Sequence, residues 1–377
     1  AFDDLIDMNT QNETGPQAGR FLYRVTEVGS NGSLSVTDLV TGVTRTVVQR
    51  ADWERLDGIV WTPWGTIVTG EETSASKLKD PLVPQATAGL MYEIDPRTGV
   101  ATVLPALGSR AHEGMRFDRK GNLYGISERA PGYIYKFVPD RRRDLSSGQL
   151  YALRVDAPTG DGTGAATWIP LDRDAVQVNS DAAALAAGAT GYARPEDIET
   201  GTSTGNSPDG ANVLYVAVTG EDRVLAIDLG YEGGRDRAFV YEYARAGVNA
   251  PADFKMPDNL ALDRAGNLYI AEDPGGNFPA KTTGDDIWRA TPAAGNAFRA
   301  ERVVRFATLT DCDAEPTGIY FSTTGDQLFV NVQHRGGDGR DLAMAIGRVS
   351  DDRPDDDDRK DDRDDAREQD AQRGGDR

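Results

Sequence analysis

The chain has 377 residues, of which 38% are hydrophobic, 42 are glycine and one, Cys312, is cysteine. That length suits one large all-β domain or two ordinary ones, and a single cysteine excludes an intrachain disulfide framework and a cysteine-rich zinc site. The net charge is −20, which repels nucleic acid and anionic membranes and attracts hard cations that prefer oxygen ligands.

Residues 1–18 are polar and read as an N-terminal arm. The first residue is Ala1, which fits a mature product after signal-peptide removal and equally fits a trimmed chain. No run of about 18 apolar residues occurs, so no transmembrane helix and no membrane insertion are expected. Residues 19–349 read as one domain built from a recurring unit, a glycine turn followed by an apolar and aromatic strand. The copies are TPWGTIVTGEE from Thr62, DRKGNLYGISE from Asp118, SSGQLYALRV around Gly148, SPDGANVLYVAVTG from Ser207, DRAGNLYIAED from Asp263 and STTGDQLFVNVQH from Ser322. Only DAAALAAGA, from Asp181, reads as helix, and it is short. Residues 350–377 are nearly all charge and read as a solvated, disordered tail. The alternative is a calcium-buffering or adhesive segment that orders on contact, giving self-association or matrix contact.

Most copies recur at roughly 55 to 60 residues, the length of one four-stranded sheet with generous loops. An all-β fold of the β-propeller type follows, with six blades, five being the alternative. A two-sheet sandwich explains the strands but not the regular recurrence.

The register of the copies points to a site. Seven residues after the turn glycine stand Glu72, Glu128 and Asp273, and the longer Gly325 turn brings Gln333–His334 to the matching place. Strand ends at equivalent places converge on one rim of a propeller. Like charges gathered there demand compensation, most simply by hard cations. The alternative is that each acid caps its own turn or pairs with a nearby arginine such as Arg129.

Further motifs lie in the same series: RAHEGMRFD with His112 and Glu113, YARPEDIET with Arg194 and Glu196, MPDNLALD with Asp258 and Asn259, and DAEPTG with Glu315. Together with TPWGTIVTGEE and LFVNVQH, in this order, the series from about Trp53 to Gly337 resembles the secreted alkaline phosphatases called PhoX and the wider PhoX-like group. The resemblance implies a propeller with a site of two irons and three calciums, held largely by carboxylates, that hydrolyses phosphomonoesters outside the cytoplasm. By motif, Glu72, Glu113 and Glu196 resemble metal ligands, Asp273 a calcium-side acid and Arg194 a phosphate-binding arginine. In the family a cysteine precedes TPWGT and binds iron; here Asp57 stands at about that place, a hard oxygen donor where a soft thiolate is expected.

His112 and His334 are the only histidines, and each reads equally as a site residue or as a hydrogen-bonded structural one. Asp258–Asn259 reads equally as part of the site or as an Asx-type turn. Cys312 reads as a small buried residue, and Trp53, Trp61 and Trp64 as blade core. Two functional classes follow. One is a secreted, extracellular or periplasmic calcium-dependent phosphomonoesterase, with iron as a second metal and a phosphate ester as its partner. The other is a non-catalytic calcium-binding propeller with a structural, adhesive or assembly-forming role.

Overall fold

A computed structural model describes residues 5–157, 160–201, 212–273, 284–334 and 341–347. The expected tail, residues 350–377, and most of the glycine-rich segment after His334 lie outside the described residues, as does the glycine turn after Ser207.

The described chain is a succession of antiparallel meanders. The first comprises Ile6–Gln11, Phe21–Thr26, Ser33–Asp38 and Val43–Gln49. The second comprises Leu56–Trp61, Ile67–Glu71, Met91–Ile94 and Ala101–Val103. Two more begin at His112–Phe117 and Pro195–Glu199 and are fused by Gly164–Pro170, which pairs with Asp144–Val155 on one side and Arg237–Arg245 on the other. A further meander begins at Pro257–Leu262, and the last contains Glu315–Phe321, Gln327–Gln333 and Leu342–Gly347. The innermost strands contact one another in a closed ring: Ile6–Gln11, Leu56–Trp61, His112–Phe117, Pro195–Glu199, Pro257–Leu262, Glu315–Phe321, and back to the first. This radial arrangement is a β-propeller.

The recurring turns have one chemistry. Asp118 accepts hydrogen bonds from the Lys120 and Asn122 amides and from Asn122 Nδ2, while Gly121 takes φ 85°. Asp263 does the same with Ala265 and Asn267, and Gly266 takes φ 82°. A left-handed residue closes each turn, which is why glycine recurs there. The turns lie at one face of the ring and the ends carrying the conserved-register acids at the other.

The expected helix is Ser180–Ala186, with Asn179 Oδ1 accepting from the Ala182 amide at 2.9 Å, and a short helix not expected from sequence, Ala175–Val178, precedes it. Trp53 and Trp61 are buried and Trp64 is partly so. The N-terminal segment differs from the expected arm, because Ile6–Gln11 is an innermost strand. Its polarity is that of a channel-facing strand. Asn9 Nδ2 donates to the Gly318 carbonyl at 2.7 Å, and the Gln11 carboxamide oxygen accepts from the Thr323 amide at 2.8 Å. Gln333 Nε2 bonds Asp7 Oδ2 at 2.8 Å. First and last sheets are thus joined by side-chain hydrogen bonds, and polar residues are what that joint requires.

Candidate metal and phosphate site

Each innermost strand opens in the same way. Its second residue is an acid in five strands: Asp7, Asp57, Glu113, Glu196 and Asp258. The last strand starts one residue earlier, at Glu315, and the equivalent place is its third residue, Thr317, whose hydroxyl donates to Asp7 Oδ1. In most of these strands the pairing register shifts just after the opening residues, as between Leu56 and Ile59, Pro195 and Ile198, and Pro257 and Leu260. A bulge there re-aims the neighbouring side chains, a common device beside functional sites. Close packing of adjacent openings also fixes Gly58, because a Cβ there would overlap the Glu113 carbonyl oxygen.

A second ring lies one step outward. The residue after each second strand donates its amide to the residue before the innermost strand: Glu27 to Leu5, Glu72 to Arg55, Glu128 to Ala111, Thr219 to Arg194 and Asp273 to Met256. Glu315 and Gln333 pair at the equivalent place in the last sheet. Four of the residues before the strands adopt left-handed φ: Leu5 at 62°, Arg55 at 48°, Arg194 at 56° and Met256 at 42°. Such a backbone is uncommon for non-glycine residues and recurs here at the rim of the cavity.

The two rings enclose a cavity of about 680 Å³. Asp57, Glu72, Glu113, Glu128, Arg194, Glu196, Asp258, Asp273, Glu315 and His334, all expected from sequence, line it together. His112 and Asn259 do not. His112 is buried, with Nε2 3.1 Å from the Gly108 carbonyl, and burial beside Arg110 pushes its pKa well down, so the ring is neutral. Asn259 lies below the site, where its Oδ1 accepts from the Gly318 amide and stands 3.0 Å from the Thr317 hydroxyl oxygen. Cys312 is exposed and lines the cavity, contrary to the expected buried role, because it sits in the turn segment before Glu315 and not in a strand.

Sequence reading missed Asp7, Glu27, Arg55, Asp285 and Asp313, which also line the cavity. The signal was present: Ile6–Asp7 repeats Leu56–Asp57, and the strand ending before Glu27 repeats the one ending before Glu72.

Carboxylate oxygens of Asp7, Glu27 and Asp57 lie within 4.8 Å of one another, as do those of Glu113, Glu196 and Asp258. Asp57 Oδ1 and Glu113 Oε2 are buried and receive no hydrogen bond. Without a cation, burial and then the neighbouring Asp57 push the Glu113 pKa far up, and burial with Asp7 does the same to Asp57. Burial, with Glu27 next, raises Asp7 to about 8. Burial and Asp273 raise Glu315 to about 11. Orphaned buried oxygens within a crowd of acids fit cations with several oxygen ligands. The two inner groups are all carboxylates, which suits a hard ion such as calcium, and the thiol that lines the cavity, Cys312, belongs to neither group.

Arg194 is held by three acids: Nε lies 2.8 Å from Glu128 Oε1 and 2.5 Å from Glu196 Oε1, and Nη2 lies 3.1 Å from Asp273 Oδ2. Burial alone would lower its pKa, but Glu196 and Glu128 more than reverse this, so the guanidinium is permanently charged. His334 Nε2 stands 3.9 Å from Glu315 Oε1.

Fold and site together define a β-propeller with a carboxylate-rich, cation-type site at one end of its channel. The family model described as alkaline phosphatase PhoX matches residues 60–336, and the chain belongs to that family. Among solved structures, Pseudomonas fluorescens PhoX in complex with vanadate, a transition state analogue, is 20% identical, with a TM-score of 0.66 over 92% of this chain and 89% of that one. An auxiliary nutrient binding protein from Bacteroides thetaiotaomicron is 13% identical, with a TM-score of 0.54 over 91% of this chain and 69% of its own. At these identities the likeness is one of fold. A search of curated protein sequences finds no match.

Proposed function

We propose that the chain is a secreted or periplasmic, calcium-dependent phosphomonoesterase on a six-bladed propeller. The observation that carries the reading is the pairing of buried, unsatisfied carboxylate oxygens on Asp57 and Glu113 with a guanidinium, Arg194, facing the same cavity. Asp7, Asp57, Glu113, Glu196 and Asp258 would hold the cations, with Glu72, Glu128, Asp273 and Glu315 as the outer ring. Bound cations would neutralise charge developing on the phosphoryl oxygens and lower the pKa of a water. Arg194 would bind phosphate by two parallel hydrogen bonds, exchanging part of its contact with Glu128 and Asp273 for the substrate. Asp57 in place of the family cysteine supports calcium over thiolate-bound iron; iron on oxygen ligands is the secondary expectation.

The test is turnover of p-nitrophenyl phosphate by the full chain, after chelation and after calcium is restored, in the wild type and in Arg194→Gln. Calcium-restored turnover that Arg194→Gln lowers at least about a hundredfold supports the reading. Absence of turnover in calcium-loaded protein overturns it and leaves the calcium-binding structural propeller.

A further inference from the structure

Among the described residues one arginine besides Arg194 lines the cavity, Arg55, and the two occupy the same place in their respective sheets. Each is the residue before an innermost strand, each has a left-handed φ, 48° and 56°, and each accepts at its carbonyl the amide of the residue after the second strand. Each is steered by outer-ring acids. Arg55 Nε donates to Glu72 Oε2 at 2.9 Å and Nη2 reaches Glu27 Oε1 at 2.5 Å. The Arg55 side chain is 46% exposed against 35% for Arg194. Between them in the ring the same backbone place is held by Ala111, which is buried and accepts the Glu128 amide at its carbonyl.

The arginines are not placed to grip one phosphate. The carboxyls of Glu72 and Glu128 stand between them, facing each other, one tied to Arg55 and the other to Arg194. Two cationic forks on one wall, two carboxyls apart, match a ligand with two anionic groups. The left-handed backbone itself belongs to the fold, since Leu5 and Met256 share it; what sets Arg55 and Arg194 apart is a guanidinium lining the cavity.

We propose that Arg55 forms a second anion subsite beside Arg194, so that the site takes small phosphomonoesters carrying a further anionic group. This rests on the phosphomonoesterase reading, with Arg194 on the reacting phosphate. Arg55 then grips the remote anion, and binding energy gained there fixes the orientation of the ester over the cation site. Planarity matters, because a guanidinium binds a carboxylate or phosphate through two parallel donors and an ammonium does not.

The experiment compares glycerol 3-phosphate with 3-phosphoglycerate, which differ at the remote end by an alcohol against a carboxylate. The calcium-loaded full chain, Arg55→Gln and Arg55→Lys are assayed for kcat/KM on both, with thermal unfolding recorded for each variant. The wild type is expected to favour 3-phosphoglycerate by at least about tenfold, the worth of one charge-assisted hydrogen-bond pair. Arg55→Gln is expected to abolish that preference, and Arg55→Lys to retain only part of it. Turnover of both esters without preference, or a preference that survives Arg55→Gln, overturns the subsite and leaves the phosphomonoesterase intact. Turnover of neither ester overturns the phosphomonoesterase reading and the subsite with it. A variant that unfolds is replaced in the comparison by inhibition of wild-type glycerol 3-phosphate turnover by malonate against acetate. Stronger inhibition by malonate is then expected, and equal inhibition overturns the subsite.

Discussion

Asp57 occupies the place where the family resemblance expects a cysteine, and its surroundings determine what that exchange does. Its Oδ1 is buried without a hydrogen bond, and its carboxyl shares space with Asp7, Glu27 and Glu113. A carboxylate so placed is a costly feature in the absence of a cation and a good ligand in its presence. Asp57→Asn keeps the shape and removes the charge, so calcium affinity measured by calorimetry is expected to fall about tenfold or more. An unchanged affinity would place the cation elsewhere. The direct residue signals in the sequence were of unequal strength. Glu72, Glu128 and Asp273 were legible because one turn geometry repeats before each. Arg55 was not, since an arginine before a strand is ordinary until its left-handed backbone is seen.

At the scale of the element, the unit that carries function is the opening of an innermost strand together with the end of its neighbour. The turn at the far end sets the register of both, and the bulge at the near end aims the acids inward. Gly58 is a tight point of this arrangement, since any side chain there meets backbone of the adjacent strand. Gly58→Ala is expected to destabilise the protein by about 1–3 kcal/mol, read from urea unfolding, and to weaken calcium binding because Glu113 must shift. Loss of stability without loss of affinity would separate the packing from the site. Asp263→Ala removes three hydrogen bonds from a turn on the opposite face and is expected to lower stability by about 1 kcal/mol while leaving calcium affinity within twofold. The turns were legible from composition alone. The first strand was not, because its buried polar residues satisfy hydrogen bonds across the joint between first and last sheets, and such polarity looks like solvent exposure in a linear sequence.

For the whole molecule, the charge of −20 is gathered in part into one buried site, so stability without calcium depends on protons. Asp7 lines that site, and burial pushes it up to about 8. An unfolded chain releases that proton near pH 4, so between pH 4 and 8 the folded chain binds more protons. Its stabilising contribution is therefore complete below about pH 4 and is lost as pH rises through about 8. The melting temperature of chelated protein is expected to fall over that interval, and calcium is expected to remove most of the fall by replacing the protons. The same slope with and without calcium would show that the acids do not hold it. The propeller itself was legible from the repeat, because a meander cannot bury both its faces alone and regular recurrence implies neighbours to pack against. The measurement that bears most directly on the account is elemental analysis of the purified chain, wild type beside Glu113→Gln. The account predicts more than one calcium per wild-type chain and a clear loss in the variant. A wild-type chain free of bound calcium and iron, with the fold intact, would contradict it.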